Sequence, residues 1–189
     1  MKATAAIALL LSLAAAPFPS RTSSAPEQPA GLWLDVPFVA QSTDGCGSAA
    51  ISMLLQYWSA HGIQLDPARS DVHAIQRLLY SREARGIYAS DMEKYLRESG
   101  FRVFAIRGTW EDLATHLQQG RPLIVAMQPT GKKSPLHYVL AIGMDSRDPA
   151  LFVNDPARGK LLRIERARFE KAWQPVSNWT LLAVPQQAK

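Results

Sequence analysis

One cysteine is all that this chain of 189 residues carries. A lone thiol excludes an intrachain disulfide framework and any cysteine-rich zinc or iron–sulfur site. No apolar run reaches the roughly 20 residues that a membrane-crossing helix requires. The 13 prolines and 11 glycines follow no collagen-like period. Lysine and arginine are spread along the chain without an aromatic–basic stripe, so the net charge of +5 points to a basic surface and not to a nucleic-acid reader. What is present is ordinary for a folded protein: 47% hydrophobic and 20% charged residues, in a length that suits one core.

The amino terminus reads as an export signal, with residues 1–25 outside the fold. Lys2 supplies the positive start, residues 4–16 are apolar and uncharged, and Ala14-Ala15-Ala16 offers the small side chains a signal peptidase reads. Pro17 argues against a cut directly after Ala16, so cleavage is expected between residues 16 and 26. The Pro-, Ser- and Ala-rich sequence that follows is a flexible lead-in, 26–30 being its last part. A periplasmic or secreted product without stable membrane insertion is expected. From Gly31 the apolar periodicity is continuous, and residues 31–186 read as a single domain.

The first half of that domain is helical. Residues 46–60 put Cys46, Ala50, Met53, Leu54 and Tyr57 on one face. A second helix is expected over 67–81, with Val72, Ile75, Leu78 and Leu79 inward. A third covers about 90–99, opened by Ser90 or Asp91 and closed by Gly100. Residues 101–106 alternate as a strand, a helix starts at Thr109 and stops at Gly120, and 122–127 form a short apolar strand. The second half is strand-rich: 137–144, 150–155 and 159–164, then a short helix near 166–173 and a last strand, 179–184. The cluster from Arg163 to Lys171 reads as a solvated helix face. Helices first and a mostly antiparallel sheet after them indicate an α+β layout.

Chemistry concentrates on Cys46. It stands between Gly45 and Gly47 where the first helix begins, and a helix start favours the anionic form of a thiol. The small neighbours are expected to let a substrate backbone approach the sulfur. An exported protein exposes an idle thiol to oxidation, which tilts the reading from a buried apolar cysteine to a nucleophile. Such a nucleophile needs a base. Of four histidines, His61 stands at a helix end where it caps carbonyls, and His73 and His116 fall on solvent faces of helices. His137 opens a strand beside a loop holding Gly131 and Pro135.

If residues 145–148 make the turn of the hairpin, Asp155 falls opposite Tyr138, one residue from His137. A slip of one residue would set it directly opposite. Asp155 is therefore the orienting carboxylate, with Asn154 as its rival. Gln41, five residues before Cys46, offers a side-chain amide that, with the Cys46 backbone N–H, could donate to an oxyanion.

Val36-Pro-Phe-Val-Ala-Gln41-Ser-Thr-Asp-Gly-Cys46-Gly-Ser-Ala-Ala50, His137-Tyr-Val-Leu-Ala-Ile-Gly143 and Asn154-Asp155-Pro156-Ala-Arg-Gly159 resemble the motifs of bacteriocin-processing (double-glycine leader) peptidases. The similarity spans about residues 35–185. It implies a papain-like cysteine peptidase fold, an N-terminal helical half packed on the sheet, with Cys46 as nucleophile, His137 as general base, Asp155 as orienter and Gln41 as oxyanion donor. No metal or other cofactor is implied, and the partner is a peptide or protein substrate. Two features differ from the family pattern. Gly45 separates Asp44 from Cys46, where many members place the aspartate directly before the cysteine. The best-understood members are cytosolic domains of export transporters, whereas this chain opens with a signal. The expected activity is thus an exported cysteine peptidase. The alternatives are a non-catalytic peptide-binding module of the same fold and an amidase or acyltransferase acting on cell-wall peptides.

Overall fold

The computed structural model describes residues 31–128 and 136–186. The expected signal at 1–25 and lead-in at 26–30 lie outside the described residues, as does the loop holding Gly131 and Pro135. In chain order come β1 (Gly31–Trp33), α1 (Cys46–Ala60), α2 (Pro67–Ser70), α3 (Val72–Leu79), α4 (Ala89–Glu98), β2 (Phe101–Arg107) and α5 (Trp110–Gln118). They are followed by β3 (Leu123–Met127), β4 (His137–Asp145), β5 (Ala150–Asp155), β6 (Gly159–Glu165), α6 (Arg166–Trp173) and β7 (Trp179–Pro185).

Every strand pairing is antiparallel, in the order β2-β7-β3-β4-β5-β6. β4 is long enough to carry two partners along one edge. Its first part, His137 to Ala141, pairs with β3, and its end, Gly143 to Asp145, pairs with β1. Gly143 is required at that junction, because a β-carbon there would lie 2.3 Å from the Leu32 carbonyl oxygen. Three-residue β1 gave no readable alternation in the sequence.

Helices cover both faces of the sheet. On one face α1 packs Ala50, Ile51, Leu54 and Leu55 into a core shared with Met92 and Leu96 of α4 and with Ile124, Tyr138, Leu140 and Ile142 of the sheet. Each of these large apolar side chains, fully buried, contributes about 1.5–3 kcal/mol. On the other face Leu113 and Leu117 of α5 and Phe169 and Trp173 of α6 meet Val125, Val139, Leu151 and Val153. Period-2 alternation alone divides the strand residues between the two cores. α1 is apolar almost all round, buried from Gly47 to Leu55, so one face of helical spacing understated it.

Some expected details change. The helix over 67–81 is two helices. Asp71 adopts an extended backbone, and its side chain accepts from Ala74 N at 2.7 Å, capping α3 and ending α2. Ile75 is buried, but Leu78, a turn further along the same helix and off its buried face, is 67% exposed. α4 starts at Ala89 behind Tyr88, with no side-chain cap from Ser90 or Asp91. α5 has the expected start: Thr109 and Asp112 form a reciprocal capping box. The Arg163-to-Lys171 cluster is split between β6 and α6, where Arg166 pairs with Glu170 at 2.8 Å. No helix among the described residues is long and apolar enough to cross a membrane.

Candidate active site

The cysteine heads the central helix. Gly45 occupies the N-cap of α1, no side chain caps that end, and no acidic residue stands in the first turn. The amides of the first turn are therefore left open to an anion. Both flanking glycines have packing reasons. A β-carbon on Gly45 would lie 2.9 Å from Ser42 Oγ, and one on Gly47 would lie 3.1 Å from Ile87 Cβ. The bare face of Gly47 is filled by Ile87, so it does not serve as open space for a substrate backbone, as the sequence had suggested. Asp44, at φ 53°, is tied to the 80–88 loop by Arg85 at 3.6 Å and by the Tyr80 hydroxyl at 3.4 Å. The cysteine itself is half-buried.

His137 opens β4 at the edge of the site. Its Nε2 donates to Asp155 Oδ1 at 2.7 Å, which leaves Nδ1 as the nitrogen available to the Cys46 thiol. Asp155 Oδ1 also accepts from Ala157 N at 3.0 Å. Burial opposes a charge on His137. The hydrogen bonds to Asp155 and Cys46 and the charges of both outweigh it, taking the ring up to about 9. Burial likewise pushes the Asp155 carboxyl up. The His137 bond and charge, the Ala157 amide and the nearby Arg158 guanidinium overcome it and hold the carboxyl below its ordinary value. The arrangement thus favours imidazolium and carboxylate together.

The hairpin register explains how the two meet. The turn is 146–149, one residue later than expected, because Asp145 Oδ1 accepts from Arg147 N and Asp148 N. A bulge between Ala141 and Gly143 then shifts the ladder, so that Leu140 faces Asn154. Asp155 follows on the face of Val139 and His137, not across from Tyr138. Its carboxylate reaches His137 diagonally. Asn154 points the other way and is buried, its Nδ2 on Val36 O at 3.3 Å and its Oδ1 accepting from Leu161 N at 2.9 Å. It fastens the segment leading to Gln41 and is not the orienter.

Gln41 is held beside the same turn, its N–H donating to Pro156 O at 3.0 Å. Its Oε1 is buried without a hydrogen-bond partner among the described residues. The other histidines are elsewhere. His61 Nδ1 stands 2.8 Å from Tyr57 O at the end of α1, and His73 is exposed. His116 is not on a solvent face as expected but half-buried, its Nδ1 buried without a hydrogen-bond partner among the described residues; burial and then Arg121 hold its ring below the ordinary value.

Two cavities flank the His137 position. One of about 560 Å³ is lined by Cys46, Asp44, the 83–89 loop, Leu136 and Tyr138. The second, about 390 Å³, is lined by His137 and Asp155 from their far side. Tyr138, whose ring meets Trp179 edge-on at 5.5 Å, is pushed up to about 12 by burial and then by the charge of Cys46. It remains a neutral phenol wall. Sequence reasoning passed over Tyr138 and the 83–89 loop. Alternation was the available signal for Tyr138, since it puts residues 136 and 138 on the side opposite His137. Among the described residues no cluster of His, Cys, Asp and Glu could hold a metal ion.

Comparison with known proteins bears on the same region. The family model described as Peptidase_C39 like matches residues 33–180. Among solved structures, the chain is similar to a double glycine motif protease from an AMS/PCAT transporter, solved with its leader peptide, at 19% identity and TM-score 0.59, covering 82% of this chain and 94% of that one. It is similar to a C39-like chain of Bacillus anthracis at 17% identity and TM-score 0.62, covering 84% and 99%. The peptidase domain of Streptococcus ComA, from a bi-functional ABC transporter, matches at 20% identity and TM-score 0.60, covering 79% and 98%. These likenesses establish the papain-like α+β fold. No curated protein matches the sequence significantly.

Proposed function

The chain belongs to the peptidase C39-like family, and on that premise we propose that it is a cysteine peptidase hydrolysing peptide bonds by acyl transfer through Cys46, His137 and Asp155. The observation that carries this reading is the ring of His137, bonded to Asp155 Oδ1 at 2.7 Å and near enough to the only cysteine to be raised by it. His137 takes the Cys46 proton, and the sulfur attacks the substrate carbonyl carbon. The oxyanion so formed is held by the Cys46 N–H at the start of α1 and by the Gln41 side-chain amide. As the C–N bond breaks, the His137 proton passes to the leaving amine. Water, deprotonated by the same ring, then breaks the thioester and restores the thiol. Asp155 fixes the tautomer and orientation of the ring throughout.

Cys46 alkylation tests the reading most cheaply. With an iodoacetamide-type probe at mildly acidic pH, Cys46 is expected to react faster than free cysteine and to lose that advantage in His137→Ala. Reaction no faster than free cysteine would leave a peptide-binding module as the better account. Peptide libraries and muropeptides then separate the substrate classes, and cleavage of muropeptides alone would defeat the peptidase assignment.

Residues 1–25 supply the second part of the proposal, export to the periplasm or beyond. Their apolar run at 4–16 and small residues at 14–16 support it. Fractionated cells expressing the full chain should yield a product outside the cytoplasm, its amino terminus between residues 16 and 26. An intact amino terminus in the cytoplasm would overturn this part.

A further inference from the structure

The cavity on the far side of His137 has a character unlike the one beside Cys46. Its floor is apolar, formed by Met127, Leu162 and Phe169, and its rim carries Arg158, Arg163 and Arg168. The cavity beside Cys46 instead carries Asp44, Glu83 and Arg85, two of them paired with each other. Of the three rim arginines, Arg163 already reaches Asp148. Arg158 is exposed, and its charge falls on Asp155. Arg168, on α6, is exposed and makes no ion pair among the described residues. The basic cluster read from the sequence as a solvated helix face therefore overhangs the histidine side of the site.

Strand alternation makes the two cavities neighbours. Leu136 and Tyr138 line one, and His137 between them lines the other. A peptide whose carbonyl is attacked at Cys46 has its leaving amine at His137, which must protonate it. The apolar floor and the arginine rim adjoin His137 on the side away from Leu136 and Tyr138, where a leaving segment can be received.

We propose that this cavity selects substrates bearing a carboxylate on the leaving side of the scissile bond, with Arg168 and Arg158 as the specificity-determining residues. The inference rests on the peptidase reading above and adds the substrate class. A carboxylate of this kind has two sources, an Asp or Glu side chain or the carboxyl terminus of a short leaving peptide. Because both guanidinium groups face solvent, the attraction is screened as salt rises.

The test uses paired peptides that differ only on the leaving side, with Glu, Gln or Lys at each position and with free or amidated carboxyl termini. For wild type, kcat/KM is expected to be about five- to tenfold higher for the carboxylate-bearing peptides than for their neutral partners. The advantage should shrink severalfold at high salt, vanish in Arg158→Gln with Arg168→Gln, and turn towards Lys in Arg168→Glu. Preference for Glu with either terminus identifies the side chain, and preference only for the free terminus identifies the end of the chain. Equal rates for Glu, Gln and Lys with either terminus would overturn the proposal while leaving the peptidase reading intact. Were no peptide cleaved, that reading would fall separately. Fluorescence anisotropy on Cys46→Ala then decides the carboxylate site alone: tighter binding of the acidic peptide, lost in the Arg158 and Arg168 variants, supports it, and equal binding overturns it.

Discussion

Cys46→Ala is expected to abolish peptide hydrolysis, and His137→Ala to lower kcat by about 10³-fold or more, with the double variant no worse than the cysteine variant alone. The reason is that, in the proposed mechanism, the two side chains act as one unit. Without the imidazole the thiol has no base, and the leaving amine has no acid. Without the sulfur the imidazole has nothing to activate. His137→Ala also strips Asp155, whose side chain is only 3% exposed, of its main partner. An unpaired buried carboxylate costs several kcal/mol, so some loss of stability accompanies the change. His137→Gln separates the two effects, because its amide can still donate to Asp155 while supplying neither base nor acid. A folded His137→Gln protein, checked by thermal unfolding and inert in single-turnover acylation, is the expected result. Substantial acylation by it would remove the histidine from the mechanism.

In Asp155→Asn, the second large effect, the titration of His137 moves. The ring is held at about 9 against an ordinary 6.5, with burial opposing and Asp155 and Cys46 raising it. Removing the Asp155 charge leaves burial less opposed, so the ring should titrate at least about one unit lower by NMR. The alkaline limb of kcat/KM, which marks loss of the proton needed by the leaving amine, should lie near pH 9 in wild type and fall in parallel. It belongs to the Cys46–His137 pair and not to either residue alone. Stability has a definite sign here. A group whose value is raised on folding contributes fully below about pH 6.5, and the contribution is lost as pH rises through about 9. The difference amounts to about 3 kcal/mol. Wild type should therefore weaken between pH 7 and 10, and Asp155→Asn should weaken much less over that window. Asp155 adds a contribution of opposite sense, present above the ordinary carboxylate range and lost in acid. An unchanged His137 titration in Asp155→Asn would take Asp155 out of its orienting role.

Much of this site was legible before any coordinates. A cysteine between two glycines, at the point where polar sequence turns into an apolar helical run, locates the start of α1 and, with it, the proposed nucleophile. The histidine at a strand start and the aspartate before a proline at a strand end were readable because each breaks an apolar strand. Gly45 illustrates the limit. It departs from the family pattern, and only the Ser42 side chain 2.9 Å from where its β-carbon would be explains what the position demands.

Local rules fixed where most elements begin and end, since apolar period, capping residues and turn residues act over a few neighbours. The number of helices around α2 and α3 escaped them, because a single Asp71 cap outcompetes helix continuation there. Which side chains face each other was decided by the sheet. The turn one residue later than expected moves the pairing by two and leaves the faces unchanged, and the bulge near Ile142 then moves it by one, so that Asp155, not Asn154, shares a face with His137. The bulge is a shift by one residue, and in a strand one residue is the whole difference between opposite faces. The basic rim opposite Cys46 is likewise a tertiary fact: Arg158 lies in the turn between β5 and β6 and Arg168 ten positions later on α6, and only the packing of α6 against the sheet brings them to one cavity.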